Sequence, residues 1–301
     1  MAGPVVLAGG TGGAKLARGM LDVAGADLTV IVNTADDIEI YGAYVSPDPD
    51  LVTFWLADRI DERGWGLRDD TFAVMDGLRE LGVDVWFALG DRDLAIGIER
   101  ARQLAEGARL TEAIAELGAA LGVAASVLPM TDEPVRTWVR CRARWTPFQE
   151  FMIRDGAAEV QDTQLRGVAE AGPTPEILAA VASASAIIIG PSNPVISIGP
   201  ILSVPMMRQA LLDSPAPIVA VSPIVGGAVL KGPTAAFLRW AGREADHAAV
   251  AACYEGLIDG LVADGAVDGL PVLQTVTLMD DAESRRRLAT ETLRFAEGLA
   301  G

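Results

Sequence analysis

The stretch Val5-Val6-Leu7-Ala8-Gly9-Gly10-Thr11-Gly12-Gly13-Ala14-Lys15-Leu16 decides how the chain is read. A short apolar, β-branched run ends in four glycines within five positions, and Ala14, Leu16, Ala17, Met20 and Leu21 then recur at helical spacing. This predicts a strand, a tight turn and a helix. Glycine lets backbone turn sharply and approach a ligand closely, because no Cβ stands in the way. A helix opening there aims its free N–H groups and positive dipole end at the turn, which suits an anion such as phosphate. Gly9, Gly10, Thr11, Gly12 and Gly13 are therefore candidate phosphate ligands, with Lys15 as an added positive charge. The spacing is not a complete G-x-G-x-x-G, since Lys15 stands where the last glycine belongs. Nor is it a P-loop, which needs Gly-Lys-Ser/Thr.

Downstream, Leu28-Thr29-Val30-Ile31-Val32 predicts a second buried strand running into Asn33-Thr34-Ala35-Asp36-Asp37. In a doubly wound sheet the carboxyl ends of strands 1 and 2 lie side by side, so these carboxylates face the glycine turn. Ser46-Pro47-Asp48-Pro49-Asp50 follows as a loop set by two prolines. Asp36, Asp37, Asp48 and Asp50 thus make four carboxylates within 15 residues. Each alone is an ordinary turn former, but the cluster beside a phosphate loop suits a ribose or a metal.

Further on, a helix is predicted from Leu51, a strand over Val83–Leu89, and short antiparallel strands over Val135–Cys141 and Phe148–Arg154. Gly90-Asp91-Arg92-Asp93-Leu94 fits either a salt-bridged turn or a guanidinium held for forked contact with phosphate or carboxylate, and the residues leave both open. Ile187-Ile188-Ile189 and Ile218-Val219-Ala220-Val221 are buried parallel strands by their unbroken apolar runs. They deliver Gly190-Pro191-Ser192-Asn193-Pro194 and Ser222-Pro223-Ile224-Val225-Gly226-Gly227. Ser192, Asn193, Ser222 and Gly226 thereby join the candidate nucleotide ligands. A strand over Val272–Leu278 and a helix over Ala282–Leu299 close the chain. The predicted class is α/β: a Rossmann-like, doubly wound, mostly parallel sheet. Residues 1–50 and 173–301 form its nucleotide-binding core, and 51–172 form an inserted mixed α+β region covering the site.

Composition narrows the chemistry. Half of the 301 residues are hydrophobic, enough for a large core. Net charge is -17, and the only basic cluster is Arg285-Arg286-Arg287, which argues against nucleic acid as a partner. An anionic substrate must then be met by local positive groups or a cation. Cys141 and Cys253 match no metal or redox spacing, and no apolar run reaches the ~18 residues of a membrane span. With no leader-like segment at the start, these features predict a soluble cytoplasmic protein without membrane partners. The single histidine, His247, falls in an Ala-rich helical segment away from every glycine-rich turn and reads as structural. Ser-His-Asp catalysis and histidine-ligated zinc are disfavoured accordingly. Carboxylates, guanidinium groups, hydroxyls and backbone amides remain, a set that favours Mg²⁺.

Taken in order, these segments resemble the 2-phospho-L-lactate transferase family of coenzyme F-420 biosynthesis, whose bacterial members are also called phosphoenolpyruvate transferases. The resemblance runs through Gly9–Leu16, Asn33–Asp37, Tyr44–Asp50, Gly90–Ala95, Leu128–Val135, Ile189–Pro194, Ser197–Leu202 and Val221–Gly227. It implies Mg²⁺-dependent transfer from a guanosine diphosphate-linked three-carbon acid to the ribityl hydroxyl of the deazaflavin Fo. GMP leaves and (dehydro) coenzyme F-420-0 forms. By the same resemblance Asp50 and Arg92 match positions contacting Fo, and a homodimer is expected. Two departures stand out: Ile96-Gly97 replaces a common Thr-His pair, and paired tryptophans near Trp65 are reduced to one.

In the mechanism that fits, Asp36 and Asp50 hold Mg²⁺, glycine-turn amides and Lys15 neutralise phosphate, and Asp48 (or else Asp37) accepts the hydroxyl proton. The main alternative is a non-enzymatic sugar-nucleotide-binding regulator of the gluconeogenesis-factor type. Those proteins carry a Gly-Gly-Ser-Ser stretch after the acidic pair, where this chain has Ile38-Glu39-Ile40-Tyr41. An NAD(P)-dependent oxidoreductase is disfavoured by the missing third glycine.

Overall fold

The structure, a computed structural model, describes residues 3–157, 159–230 and 232–300. In chain order the strands are β1 (Val5–Ala8), β2 (Thr29–Val32), β3 (Ile38–Ile40), β4 (Ala43–Val45), β5 (Ser126–Pro129), β6 (Arg136–Cys141), β7 (Arg144–Pro147), β8 (Asp162–Arg166), β9 (Ile187–Ile189), β10 (Ile218–Val221), β11 (Ile224–Val225), β12 (Ala228–Val229), β13 (Gly260–Ala263) and β14 (Val272–Gln274). The helices are α1 (Gly10–Ala24), α2 (Pro47–Leu56), α3 (Ala73–Glu80), α4 (Asp91–Ala105), α5 (Leu110–Ala120), α6 (Phe148–Ile153), α7 (Pro175–Ala182), α8 (Gly199–Ser203), α9 (Met207–Leu212), α10 (Thr234–Trp240), α11 (His247–Cys253) and α12 (Ala282–Leu299).

Among the described residues seven strands form one parallel sheet in the order β14-β13-β10-β9-β1-β2-β5. This is the doubly wound arrangement, with its switch point between β1 and β9. The strands are apolar throughout because both faces are covered. Val6, Ala8, Val30, Val32, Ile188 and Val219 face α1, α2 and α12. Val5, Leu7, Ile31, Ile187, Ile189 and Ile218 face α7, α8 and α9. The period-2 alternation of strand side chains divides one run between two cores.

Several elements differ from the sequence reading. β5 comes from within 51–172, so that region also supplies an edge strand to the core sheet. Val83–Leu89 is irregular: the Phe87 amide donates to the Tyr41 hydroxyl (3.3 Å) rather than to a strand, and Val85, Phe87 and Leu89 pack against the β3–β4 hairpin. Phe148–Ile153 is helical, since Phe148 and Phe151, three apart, both lie against Phe237. Helix α2 starts at Pro47, where proline's fixed φ and missing N–H suit a first turn. Asp48 and Asp50 therefore sit on a helix, not in a loop. Among the described residues no helix is long and apolar enough to cross a membrane.

Helix α1 meets the neighbouring turn with no room for side chains. A Cβ on Gly12 would lie 2.1 Å from the Pro191 carbonyl oxygen, and one on Gly13 would lie 2.6 Å from Ser192 Oγ. Gly12→Ala should therefore lower the melting temperature by about 4 °C, roughly 2–3 kcal/mol of overpacking. Exposed Thr11→Ala should leave it nearly unchanged. Differential scanning fluorimetry separates the two, and equal effects would contradict the close approach.

Candidate active site

The site grows from the carboxyl ends of β1, β2 and β9. The Gly9 amide donates to Ser192 Oγ at 3.1 Å and the Gly190 amide to the Leu7 carbonyl at 2.9 Å, stitching the glycine turn to the 190–193 turn at the switch point. The Gly10 amide, first in α1, donates to Asp48 Oδ1 at 2.8 Å, and Asn33 Nδ2 donates to Asp48 Oδ2 at 2.9 Å. A side-chain carboxylate from α2 thus occupies part of the anion position at the α1 N-terminus. The amides of Thr11 and Gly12 have no side-chain cap among the described residues.

Asp36, Asp37, Asp48 and Asp50 are all buried. Burial, then the neighbouring carboxylates of Asp48 and Asp37, pushes the Asp36 carboxyl well above the usual range. Burial also raises Asp48. Burial pushes Asp37 up to about 7, against the pull of Arg136, the Ser46 hydroxyl and Arg100. Ser46 Oγ donates to Asp37 Oδ1 at 2.8 Å, while Asp37 Oδ2 and Asp36 Oδ1 are buried with no partner. Asn193 Oδ1 accepts the Val195 and Ile196 amides, leaving its buried Nδ2 without an acceptor. Asp36 Oδ1, Asp37 Oδ2 and Asn193 Nδ2 thus leave two acceptors and one donor open at the carboxyl ends of the strands.

Asp50 is differently placed. Both of its oxygens accept from the guanidinium of Arg100, which is 1 % exposed and also donates to the Tyr44 carbonyl at 3.0 Å. Arg100 went unnoticed in the sequence, although Leu94, Gly97 and Arg100 form the buried stripe of α4 and an arginine there needs a buried partner. Gly97, one of the Ile96-Gly97 departures, lets α4 close on β4: a Cβ there would lie 3.1 Å from Ala43 Cβ and 3.2 Å from the Tyr44 carbonyl oxygen.

Arg92 opens α4 with an exposed side chain that has no hydrogen-bond partner among the described residues. Its flanking aspartates do separate work. Asp91 accepts the amides of Ala73 and Val74 at the start of α3, while Asp70 accepts those of Arg92 and Asp93. These reciprocal caps fix the start of α4. Burial, then Asp50 and Asp70, pushes Asp93 up to about 7, so it too belongs to the acidic cluster.

Other candidates point elsewhere. The Lys15 ammonium donates to the Met279 carbonyl at 2.9 Å and lies 5.9 Å from the Trp55 ring centroid, on the flank of α1 facing α2 and α12. Ser222 is fully buried, with its Oγ 2.8 Å from His247 Nδ1. His247 therefore does not lie away from the glycine-rich turns; α11 carries it onto the Ser222–Gly227 turn, where its Nε2 meets Asp264. Gly226 sits exposed at the β11–β12 tip, its amide donating to Asp264 Oδ2 at 2.6 Å. Among the described residues no three His, Cys, Asp or Glu side chains are grouped to hold a metal by themselves.

A family model described as 2-phospho-L-lactate transferase CofD matches residues 5–289. The chain belongs to the 2-phospho-L-lactate transferase CofD family. It is 40% identical to a 2-phospho-L-lactate transferase of Methanosarcina mazei, covering 86% of each chain. It is 40% identical to that of Methanopyrus kandleri over 98% of each, and 39% identical to a phosphoenolpyruvate transferase of Kitasatospora aureofaciens over 97% of each. Among solved structures, a UPF0052 family member from Bacillus halodurans superposes with a TM-score of 0.62, covering 97% of this chain and 99% of that one. At 17% identity this likeness is one of fold alone.

The Arg100–Asp50 pair yields a stability test. Breaking one side of a buried ion pair leaves an uncompensated charge, so Arg100→Ala should lose about 3–5 kcal/mol in chemical denaturation. Adding Asp50→Ala should cost at least about 1 kcal/mol less than the sum of the two single changes. Additive losses would contradict the pairing.

Proposed function

We propose that the chain transfers a phospholactyl or enolpyruvyl-phosphoryl group from a guanosine diphosphate-linked donor to the ribityl hydroxyl of Fo in coenzyme F420 biosynthesis. The acceptor oxygen bonds to the phosphorus bearing the three-carbon acid, the pyrophosphate bond breaks, and GMP leaves. The observation carrying this reading is the meeting of uncapped α1 amides, the donor-only Asn193 Nδ2 and a buried carboxylate cluster at one switch point, in a chain whose relatives bear these transferase names.

The donor set fits Mg²⁺. Mg²⁺ is commonly held by one or two carboxylates together with substrate phosphates, so three protein carboxylates around one point are not required. Asp36, with its unpartnered Oδ1, and Asp48 would hold it. When bound, the ion supplies charge neutralisation at the pyrophosphate. Asp50, engaged by Arg100, serves the acceptor side with Arg92 rather than the metal. Thr11 and Gly12 amides and Asn193 Nδ2 bind the donor phosphates. Asp37 takes the hydroxyl proton: it has a free oxygen, an oxygen oriented by Ser46, and a carboxyl poised at about 7, near the working pH of a general base. Asp48, with both oxygens already accepting, is the weaker candidate.

Incubating the protein with Fo, Mg²⁺ and each donor should give a phosphodiester and GMP by mass spectrometry, the two possible products differing by two hydrogens. Asp37→Asn should lower turnover by about 10²-fold or more while GDP affinity is retained. Absence of transfer from either donor would overturn the function; full turnover by Asp37→Asn would overturn the assignment of the base.

A further inference from the structure

The chain has one histidine, and the structure gives each of its ring nitrogens a partner from a different loop. Nε2 lies 2.9 Å from Asp264 Oδ1 in the loop after β13, and Nδ1 lies 2.8 Å from Ser222 Oγ in the turn after β10. An ionised aspartate only accepts, so the ring proton belongs on Nε2 and the bare Nδ1 receives the Ser222 hydroxyl proton. The same network continues into backbone. Ser222 Oγ accepts the Ile224 amide at 3.3 Å, and Asp264 Oδ2 accepts the Gly226 amide at 2.6 Å. Both ends of the β11 strand are thereby tied to one imidazole.

A nucleophilic serine is not what this arrangement provides. Ser222 is 0 % exposed, out of reach of a substrate, and its oxygen already accepts a backbone amide. The ring instead joins three separate segments at the same sheet edge as the acidic cluster. Helix α11, which His247 opens, also packs against the Pro194–Ile198 turn, whose preceding residues Ser192 and Asn193 hold the glycine turn and carry the unpartnered Nδ2. Room for the ring is made by Gly265, where a Cβ would lie 2.9 Å from His247 Cδ2.

We propose that His247 is a positioning residue for the donor side of the site. Locked between Asp264 and Ser222, it fixes the β11–β12 hairpin and the start of α11, and through α11 the turn that presents Asn193 to the donor phosphates. The inference rests on the guanosine diphosphate reading above, and its ligand probe is GDP with Mg²⁺.

With one histidine, imidazole ¹⁵N–¹H spectra of the full chain report on this ring alone. They should show an Nε2-protonated tautomer that is lost in Asp264→Ala. His247→Ala should weaken GDP binding by calorimetry, and raise the donor KM, by about tenfold, the effect of one to two net hydrogen bonds, with the Fo KM within about twofold. His247→Asn, which keeps an acceptor toward Ser222, should recover part of the loss. Gly265→Ala, which displaces the ring without deleting a hydrogen-bonding group, should reproduce part of it and keeps the test open if His247→Ala does not fold. Equal losses in donor and Fo KM, GDP binding that His247→Ala and Gly265→Ala leave unchanged, or an Nδ1-protonated ring would overturn the inference alone. Failure of the wild-type chain to bind GDP would overturn the donor reading and the inference with it.

Discussion

Four aspartates buried together at one end of a sheet set the conditions for everything around them. Ionised carboxylates taken out of water are unfavourable unless paired or hydrogen-bonded, and mutual repulsion adds to the penalty. Three of the four have a remedy. Arg100 is buried with Asp50 and spans both of its oxygens; the α1 N-terminus and Asn33 serve Asp48; Ser46 serves Asp37. The compensation stops short of completion at Asp36 Oδ1 and Asp37 Oδ2. Incomplete satisfaction among buried carboxyls raised by that burial is consistent with the proposed binding site.

The fold explains why those residues meet. In the strand order β5-β2-β1-β9-β10 the connections run away in opposite directions from the β1–β9 boundary, opening a crevice above it. Gly9 to Gly13 bring α1 against the 190–192 turn at distances that only glycine permits at Gly12. Pro47 starts α2 early enough that Asp48 reaches back to the first amide of α1. The reciprocal caps of Asp70 and Asp91 then hold the head of α4, so that Asp93 stands close enough to Asp50 to feel its charge without needing a strand beneath it.

Much of this was legible in the sequence because it rested on local periodicity. Unbroken apolar runs announced β1, β2, β9 and β10, and the helix over Ala282–Leu299 is found with those bounds. The glycine turn, the acidic segment after β2 and the Ser192-Asn193 turn come together because parallel strands put their ends on one edge. What the sequence hid were pairings across large separations. Arg100 and Asp50 are 50 residues apart, and His247 joins Ser222 and Asp264 through contacts that no spacing reveals. The hydrogen bond from Lys15 to the Met279 carbonyl, across 264 residues, is of the same kind. Phe148–Ile153 and Val83–Leu89 show propensity yielding to tertiary packing.

That burial makes folding oppose ionisation at the acidic edge is read most directly from the pH dependence of thermal stability in the ligand-free protein. Carboxyls raised in the folded state bind more protons than in the unfolded chain, so stability falls as pH climbs from the ordinary carboxylate value near ~4 toward the folded value of about 7 for Asp37. Between pH 5 and pH 8 the wild-type melting temperature should drop. In Asp37→Asn that drop should be smaller by about 3 °C, roughly 2 kcal/mol. Parallel curves for the two proteins, or a wild-type stability that rises over this interval, would contradict it.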